Sequence, residues 1–332
     1  MGALEVLSCG PGLTVQDAGR TGYLRFGVPT AGAMDRAALA LANALVGNAP
    51  EAAALELPFL GATFRMRSGA TVIGAAGAGA VLAINEIPVP AASAALVRAG
   101  DRVAVSPACG GVYTYLAIAG GIAVAPEMGS RSSHMRTGFG PAQLAAGDHV
   151  PLADEAGSEA ALRYIGAAAP GDGPIRVVPG PQDSHFGEGV WAAFLGAAFR
   201  VSARSDRMGL RLDGPRLPSA RGHDIVSEGV VPGSIQVPGD GQPIVLGRDC
   251  QTTGGYPKIA TVISADLGRL AQFPPGAEIR FRTVSADEAI EAARSLADWV
   301  AALPGGMRSA RTEPAELTRH NLISGITDAR GH

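Results

Sequence analysis

The chain is poor in charge, aromatic side chains and cysteine, and each shortage excludes a class of protein. Its 332 residues include 17% charged and 5% aromatic residues, and the formal net charge is −3. Such a balance provides no basic surface for nucleic acid or an acidic membrane, so we expect neither partner. The three cysteines, Cys9, Cys109 and Cys250, form no CxxC pair and predict neither a disulfide framework nor a zinc ribbon.

Long apolar runs are also missing. The longest uncharged stretch near the start, residues 37–50, is too short to cross a bilayer and contains two asparagines. The first ten residues lack the basic and apolar regions of a secretory signal. These absences, with unpaired cysteines, predict a cytoplasmic protein.

Glycine and proline are abundant, with 46 and 24 copies, and they separate many short apolar runs. Runs of this length bounded by turn residues predict β-strands joined by short turns, which is typical of barrels and sandwiches. The runs lie at 4–7, 71–73, 81–84, 103–105, 113–118, 175–178, 244–246, 259–263 and 279–281. We therefore predict a mainly β protein with a few helices.

Helical patterns are confined to three segments, 34–46, 188–195 and 285–303, the last with Ser285 as its N-cap. A linker is expected within residues 153–173, where the composition changes. We predict an N-terminal half at 1–165, a C-terminal half at 174–305 and a mobile tail at 306–332. The two halves contain a few short, similar segments in the same order, which favours duplication of one β-unit.

Lysine occurs once, at Lys258, and its setting excludes two functions. A P-loop needs Gly-Lys-Ser/Thr, whereas this lysine follows Pro257. Biotinyl carriers attach biotin to a lysine commonly flanked by methionine, so we expect no covalently attached biotin. The six histidines lack the spacing of metal ligands, and we expect no metal site.

The densest polar stretch covers residues 227–258. In it, Asp249 and Gln251 are candidate catalytic acceptors for a substrate N–H or water, and Lys258 is a candidate donor to a carbonyl oxygen that gains negative charge. These acceptors and this donor together suit a planar, amide-like substrate. Candidate substrate-binding residues in the stretch are Tyr256, Gln236, Gly254 and Gly255. The alternative is a long β-hairpin whose glycines serve turns only.

Three weaker candidates lie outside that stretch. Arg20 and Asp35 belong to a glycine-rich segment before the first predicted helix, and Gln182 follows a predicted strand. Two of them have a structural alternative: Arg20 pairs with Asp17, and Asp35 is a carboxylate at a helix start.

Several long motifs resemble one family in the right order. The segments read VQDAGRTGYLRFGVPTAGAMD (15–35), LAIAGGI (116–122), GSRSSH (129–134), PGPQDSHF (179–186), SDRMGLRLDGP (205–215) and QTTGGYPKIATVISADLGRLAQ (251–272). They resemble the biotin-dependent carboxyltransferase-like family, also called allophanate hydrolase subunit 2 or KipA-like. The resemblance covers about residues 5–285; Leu210 and Cys250 stand where other residues are expected.

The resemblance implies two cyclophilin-like β-barrel units. It also implies one component of an ATP-dependent 5-oxoprolinase, whose two partner chains are a KipI-like one of type B and a LamB/YcsF-like one of type A. The ATP site is expected on this chain, shared with a partner or on another component. Two alternatives remain: a carboxyltransferase-like component acting on urea or another amide with biotin from another protein, and a non-catalytic, KipI-binding regulator.

Overall fold

A computed structural model describes residues 2–153 and 161–309. Two sheets form the N-terminal half. One has the strand order β11-β1-β4-β9-β6-β7 and the other the order β2-β3-β10-β5-β8. The strands of these sheets are β1 Ala3–Cys9, β2 Thr14–Gln16, β3 Ala54–Pro58, β4 Ala62–Ser68, β5 Ala70–Ala76, β6 Leu82–Ile84, β7 Ile87–Pro88, β8 Ala94–Arg98, β9 Arg102–Val105, β10 Tyr113–Ile118 and β11 His149–Pro151. Strand β12, Leu162–Tyr164, follows them and belongs to neither sheet.

The two sheets enclose one hydrophobic core, to which alternate residues of the outer strands contribute. Leu4 and Val6 of β1 are fully buried and Phe64 of β4 packs with them. Strand β10 is buried at every position because helix α1, Arg36–Leu45, covers the outer face of its sheet. Asp35 caps α1 by accepting hydrogen bonds from the Ala37 and Ala38 N–H groups, both at 3.1 Å.

The C-terminal half is built on one eight-stranded sheet, ordered β21-β14-β15-β18-β17-β20-β13-β22. The end strands β21 and β22 are separated by Arg280 alone, so the sheet curls into a nearly closed barrel. Its strands are β13 Ile175–Pro179, β14 Phe199–Val201, β15 Gly209–Asp213, β17 Ser234–Gln236, β18 Ile244–Leu246, β20 Lys258–Val262, β21 Glu278–Ile279 and β22 Phe281–Thr283.

Smaller elements complete this half. A two-stranded ribbon joins β16, Glu228–Gly229, to β19, Thr253–Gly254. Helices α2, Glu188–Gly196, and α3, Leu267–Ala271, pack against the barrel through Phe194 and Leu270. Helix α4, Ala286–Ala302, follows the last barrel strand, and strand β23, Met307–Ser309, follows α4.

The predicted fold class, mainly β with a few helices, is confirmed. All three predicted helices are present, and Ser285 caps α4 in a capping box with Glu288. The barrel prediction describes the C-terminal half, whereas the N-terminal half closes its core with two separate sheets. The strand predicted at 279–281 is in fact two strands, since the chain changes partner at Arg280.

The last described strand pairs with a strand from the middle of the chain. Strand β23 pairs antiparallel with β12, and Met307 and Tyr164 pack against the core beneath α1. The tail expected from residue 306 therefore begins with an ordered strand, and the expected linker contains the other strand of this pair. Residues 154–160 and 310–332 of the predicted linker and tail lie outside the described residues. Within the described residues, we find no helix with the length and apolarity needed to cross a membrane.

Candidate functional site

A buried ion cluster joins the two halves of the molecule, and we call it the Arg207 cluster. The Arg207 guanidinium donates to both carboxylate oxygens of Asp249, at 2.8 and 2.9 Å, and forms a further ion pair with Glu56 of β3. It also donates to the Gly32 carbonyl at 2.8 Å. Although burial opposes the charge, the carboxylates of Glu56 and Asp249 raise the pKa of Arg207 well above its usual value. Asp249 thus holds an arginine that connects the halves.

Tyr115 extends the Arg207 cluster toward helix α1. Its hydroxyl donates to Glu56 Oε2 at 2.7 Å and accepts from the Asp35 N–H at 2.8 Å. The second Asp35 oxygen accepts from Gln272 Nε2 of the C-terminal half at 3.0 Å. Asp35 is therefore a helix cap and a contact between the halves, which matches its structural alternative.

Lys258 lies in a different polar cluster, which we call the Lys258 cluster. Its side chain is 2% exposed, and Nζ pairs with Glu228 Oε1 at 2.7 Å, whereas the Glu228 side chain is 42% exposed. Gln182 donates to the same Glu228 oxygen at 2.9 Å and accepts from the Lys258 N–H at 3.1 Å. The lysine and the glutamine lower the pKa of Glu228 by stabilising its charged form.

Gln236 is the fourth member of the Lys258 cluster. It stands opposite Lys258 in the antiparallel pair of β17 and β20, which places the two side chains on one face of the sheet. Its Nε2 is buried and has no hydrogen-bond partner among the described residues. Gly254 makes room for this amide, because a Cβ atom there would lie 2.3 Å from Nε2. A buried, unused donor beside an ammonium group is suited to an oxygen of a ligand.

The remaining candidates are spread around these clusters. Tyr256 is 40% exposed and its carbonyl lies 3.5 Å from Lys258 Nζ. Gln251 is exposed and Gly255 lies against Ser227. Asp249 and Lys258, predicted to act together, have different partners, and no hydrogen bond or ion pair joins them in the described chain.

Arg20 belongs to a third polar group, in the N-terminal half. It is 1% exposed, donates to the Ser132 carbonyl at 2.7 Å and lies over the Phe139 ring. Burial lowers the pKa of Arg20, and the nearby Asp17 opposes that effect. The Asp17 carboxylate accepts from the hydroxyls of Ser130 and Ser132 at 2.6 and 2.5 Å. These contacts place Arg20 in the framework of its own half.

Glu228, Arg207 and Glu56 were not predicted from the sequence. Glu228 lies inside the polar stretch and Arg207 inside a family motif, so the sequence position of each pointed to a functional role. Glu56 had none beyond being a carboxylate among apolar residues of a strand. Across the ranges 2–153 and 161–309, no group of three or more histidine, cysteine, aspartate or glutamate side chains is placed to hold a metal ion.

The fold and the Lys258 cluster define a β-protein of the carboxyltransferase type with an amide-binding inventory. Residues 26–283 match the family described as the carboxyltransferase domain, subdomain A and B, and the chain belongs to that family. It is 37% identical to the 5-oxoprolinase C subunit of Escherichia coli over 87% of this chain and 94% of that protein. The corresponding protein of Haemophilus influenzae is 36% identical over 88% of this chain and 94% of its own length. The family resemblance stated from the motifs is confirmed.

Solved structures give the same fold. The urea amidolyase of Kluyveromyces lactis superposes with a TM-score of 0.82 at 29% identity, over 94% of this chain and 20% of that protein. The urea carboxylase of the same yeast gives 0.80 at 30% identity, over 90% of this chain and 29% of its own length. This chain thus corresponds to a small part of those larger enzymes.

Proposed function

We propose that this chain is one component of an ATP-dependent 5-oxoprolinase, which hydrolyses 5-oxo-L-proline to L-glutamate. The observation that carries the proposal is the pair of donors in the Lys258 cluster, a buried ammonium 2.7 Å from Glu228 and the unpartnered Gln236 amide. Near-complete coverage of two relatives, each named as the C subunit of 5-oxoprolinase, supports the choice of substrate. The name of those relatives also supports an assembly of several different chains.

The reaction opens a five-membered lactam. Water adds to the ring carbonyl carbon, the ring C–N bond breaks, and the nitrogen takes a proton to become the amine of glutamate. ATP acts first: its terminal phosphoryl group moves to the lactam oxygen and ADP leaves. After water adds to the ring carbon and the C–N bond breaks, the new carboxyl group carries the phosphate, and a second water molecule hydrolyses this acyl phosphate to release phosphate. The lactam oxygen thus carries a negatively charged group during the reaction, so donors aimed at it lower the barrier.

In this mechanism, Lys258 Nζ and Gln236 Nε2 donate to that oxygen. Glu228 and Gln182 hold the ammonium in place, because Glu228 Oε1 accepts from both side chains, at 2.7 and 2.9 Å. Tyr256, 40% exposed, borders the same site and orients the ring. The Gly254 and Gly255 N–H groups and Gln251 are further substrate contacts. Asp249, Asp35 and Arg20 act as positioning groups, through the contacts described above.

The proposed complex contains this chain, a KipI-like partner of type B and a LamB/YcsF-like partner of type A, in the cytoplasm. The test is glutamate release from 5-oxoproline with ATP, using the three chains together and then omitting each in turn. Activity that needs all three supports the proposal. A stable complex without 5-oxoprolinase activity would overturn it.

Lys258→Ala in the same complex is expected to reduce turnover by roughly 10²–10³-fold, the usual cost of removing one donor to an oxyanion. Arg200→Ala is the matched control, because it removes a basic side chain that is 62% exposed and pairs with Glu278 on the surface. Full turnover in Lys258→Ala, with the control also active, would remove the lysine from the mechanism.

The second candidate is transfer of a carboxyl group to an amide nitrogen of urea or a similar compound, with biotin supplied by another protein. The urea amidolyase and urea carboxylase superpositions favour it. A lactam, urea and the ureido ring of biotin are all planar amides, so one set of donors suits each. A carboxybiotin-dependent carboxylation assay separates the two functions, since it needs no 5-oxoproline.

A further inference from the structure

A cleft lies between the two halves, away from the Lys258 cluster. Its volume is about 270 Å³, and its charged lining residues are Asp35, Arg36, Arg248 and Arg269. The start of α1 forms one wall and the segment leading into α3 forms another. Lys258 begins strand β20, whereas the cleft is lined by Ser264 and Ala265 just beyond the other end of that strand. The cleft and the Lys258 cluster are therefore separate places.

Arg248 is the unusual member of this lining. It is half-buried, and among the described residues its guanidinium has no hydrogen bond, ion pair or ring contact. Both carboxylate oxygens of its neighbour Asp249 accept hydrogen bonds from Arg207. Burial and the nearby Arg36 lower the pKa of Arg248 to about 10. An arginine half-removed from water beside a second arginine is unfavourable without an anion to offset the two charges.

The other charges around the cleft offset Arg248 only in part. Asp35 raises the pKa of Arg248, but it forms no ion pair with Arg248 among the described residues, since its oxygens accept from the start of α1 and from Gln272. Arg269 lies 3.0 Å from Asp266, which also pairs with Arg176 outside the cleft. Arg36 is exposed and donates to the Ala18 carbonyl, a neutral acceptor. The cleft therefore carries an excess of positive charge at Arg36 and Arg248.

We infer that this cleft binds a phosphate ester, with its phosphate group between Arg36 and Arg248. Guanidinium groups bind phosphate oxygens through paired, charge-assisted hydrogen bonds, which suits two arginines on one cleft. The lining also includes the apolar side chains of Pro170, Leu267 and Leu296, which suit the less polar part of the ligand. A nucleotide combines a phosphate group with a less polar part in this way. The identification of that nucleotide as ATP rests on the proposed function, whereas the inference of a phosphate-binding site is independent of it.

The experiment measures binding to the full chain without turnover, so it is independent of 5-oxoprolinase activity. Inorganic phosphate and ATP are titrated by calorimetry into the wild type, Arg248→Gln and Arg36→Gln. We expect the wild type to bind both probes, ATP more tightly, and each variant to bind ATP roughly ten-fold or more weakly. Affinity should also fall as salt rises. Tighter binding of ATP than of phosphate indicates that the ester part also contacts the cleft.

Arg200→Gln is the matched control, since it removes an arginine whose side chain is 62% exposed and lies outside the cleft. It should bind as the wild type does. Equal melting temperatures for the four proteins show that the variants fold. Absence of binding of both probes to the wild type, or unchanged ATP affinity in Arg248→Gln, would overturn the inference. If the cleft binds ATP but the complex releases no glutamate, the proposed function fails and the site stands.

Discussion

The Arg207 cluster and the Lys258 cluster are both buried ion-pair networks, yet they leave different groups unused. In the Arg207 cluster, two carboxylates, a phenol and a backbone carbonyl all find partners within the protein. In the Lys258 cluster, the carboxylate is 42% exposed and the Gln236 amide has no partner. When the members of a network satisfy one another, the network stabilises the fold, whereas a buried donor without a partner can donate to an oxygen atom of a ligand. The contrast agrees with a structural role for the first cluster and with the binding role proposed for the second.

The largest expected effect is on stability, in Arg207→Met. The substitution leaves Glu56 and Asp249 buried without their cation, at a cost of about 3–5 kcal/mol in the free energy of unfolding. Urea denaturation measures it. Arg200→Met, which breaks a pair exposed on both sides, should cost less than about 1 kcal/mol. Equal losses in the two variants would contradict a structural role for the Arg207 cluster.

The second prediction concerns turnover in Gln236→Leu. Removing the unused donor should lower turnover in the complete complex by roughly 10²-fold and leave the melting temperature nearly unchanged, because Nε2 makes no hydrogen bond within residues 2–153 and 161–309. Gln242→Leu is the control, since that amide donates to the Gly214 carbonyl away from both clusters. A large loss of stability with normal turnover in Gln236→Leu would move the residue into the structural group.

The third prediction is smaller and returns to the Arg207 cluster. Tyr115→Phe removes the hydroxyl that donates to Glu56 at 2.7 Å and accepts from the Asp35 N–H. Because Glu56 also accepts from the Met34 N–H and pairs with Arg207, we expect a loss of about 1.5–3 kcal/mol in unfolding free energy. Denaturation in urea with turnover measured in parallel checks it. A loss of turnover without a loss of stability would contradict a purely structural role for the Arg207 cluster.

The smallest effect is a pH dependence of stability. The folded-state pKa of Glu228 lies below its usual value of 4.5, because Lys258 and Gln182 stabilise the charged form. Its contribution to stability is therefore present above about pH 4.5 and is lost as the pH falls through the lower folded-state pKa. The stability difference between wild type and Glu228→Gln should shrink over that range. It should be modest, since Glu228 is partly exposed, and a difference of the same size in a Lys258→Met background would contradict the pairing.

Local features predicted much of the fold. The capping pattern at Ser285 and the carboxylate at Asp35 mark helix starts because capping uses only residues within one turn. The change of strand partner at Arg280 and the pairing of β12 with β23 were not predictable in this way. Both depend on strands that are distant in sequence, and a pattern of apolar residues does not specify its partner.

The candidate site shows the same division. The single lysine and its glycine-rich surroundings identified Lys258 and Gln236, and Gln182 was a weaker candidate from a separate segment; the structure places all three in one cluster. Glu228 was missed because its pairing with Lys258 depends on the ribbon of β16 and β19. Asp249 was assigned to the same site because it lies near Lys258 in the chain, but its carboxylate turns to Arg207 and the N-terminal half.

The sequence by itself determined the fold class, the helix starts, the family and the lysine around which the candidate site is built. All of these follow from short-range patterns or from motifs that lie within one stretch of chain. The tertiary structure alone decided which carboxylate faces which cation: Glu228 faces Lys258, and Asp249 and Glu56 face Arg207. Among the residues that the structure describes, it also left Arg248 without a partner beside Arg36. Ion pairs form between groups a few ångströms apart in space, and that distance is fixed by how the two halves pack.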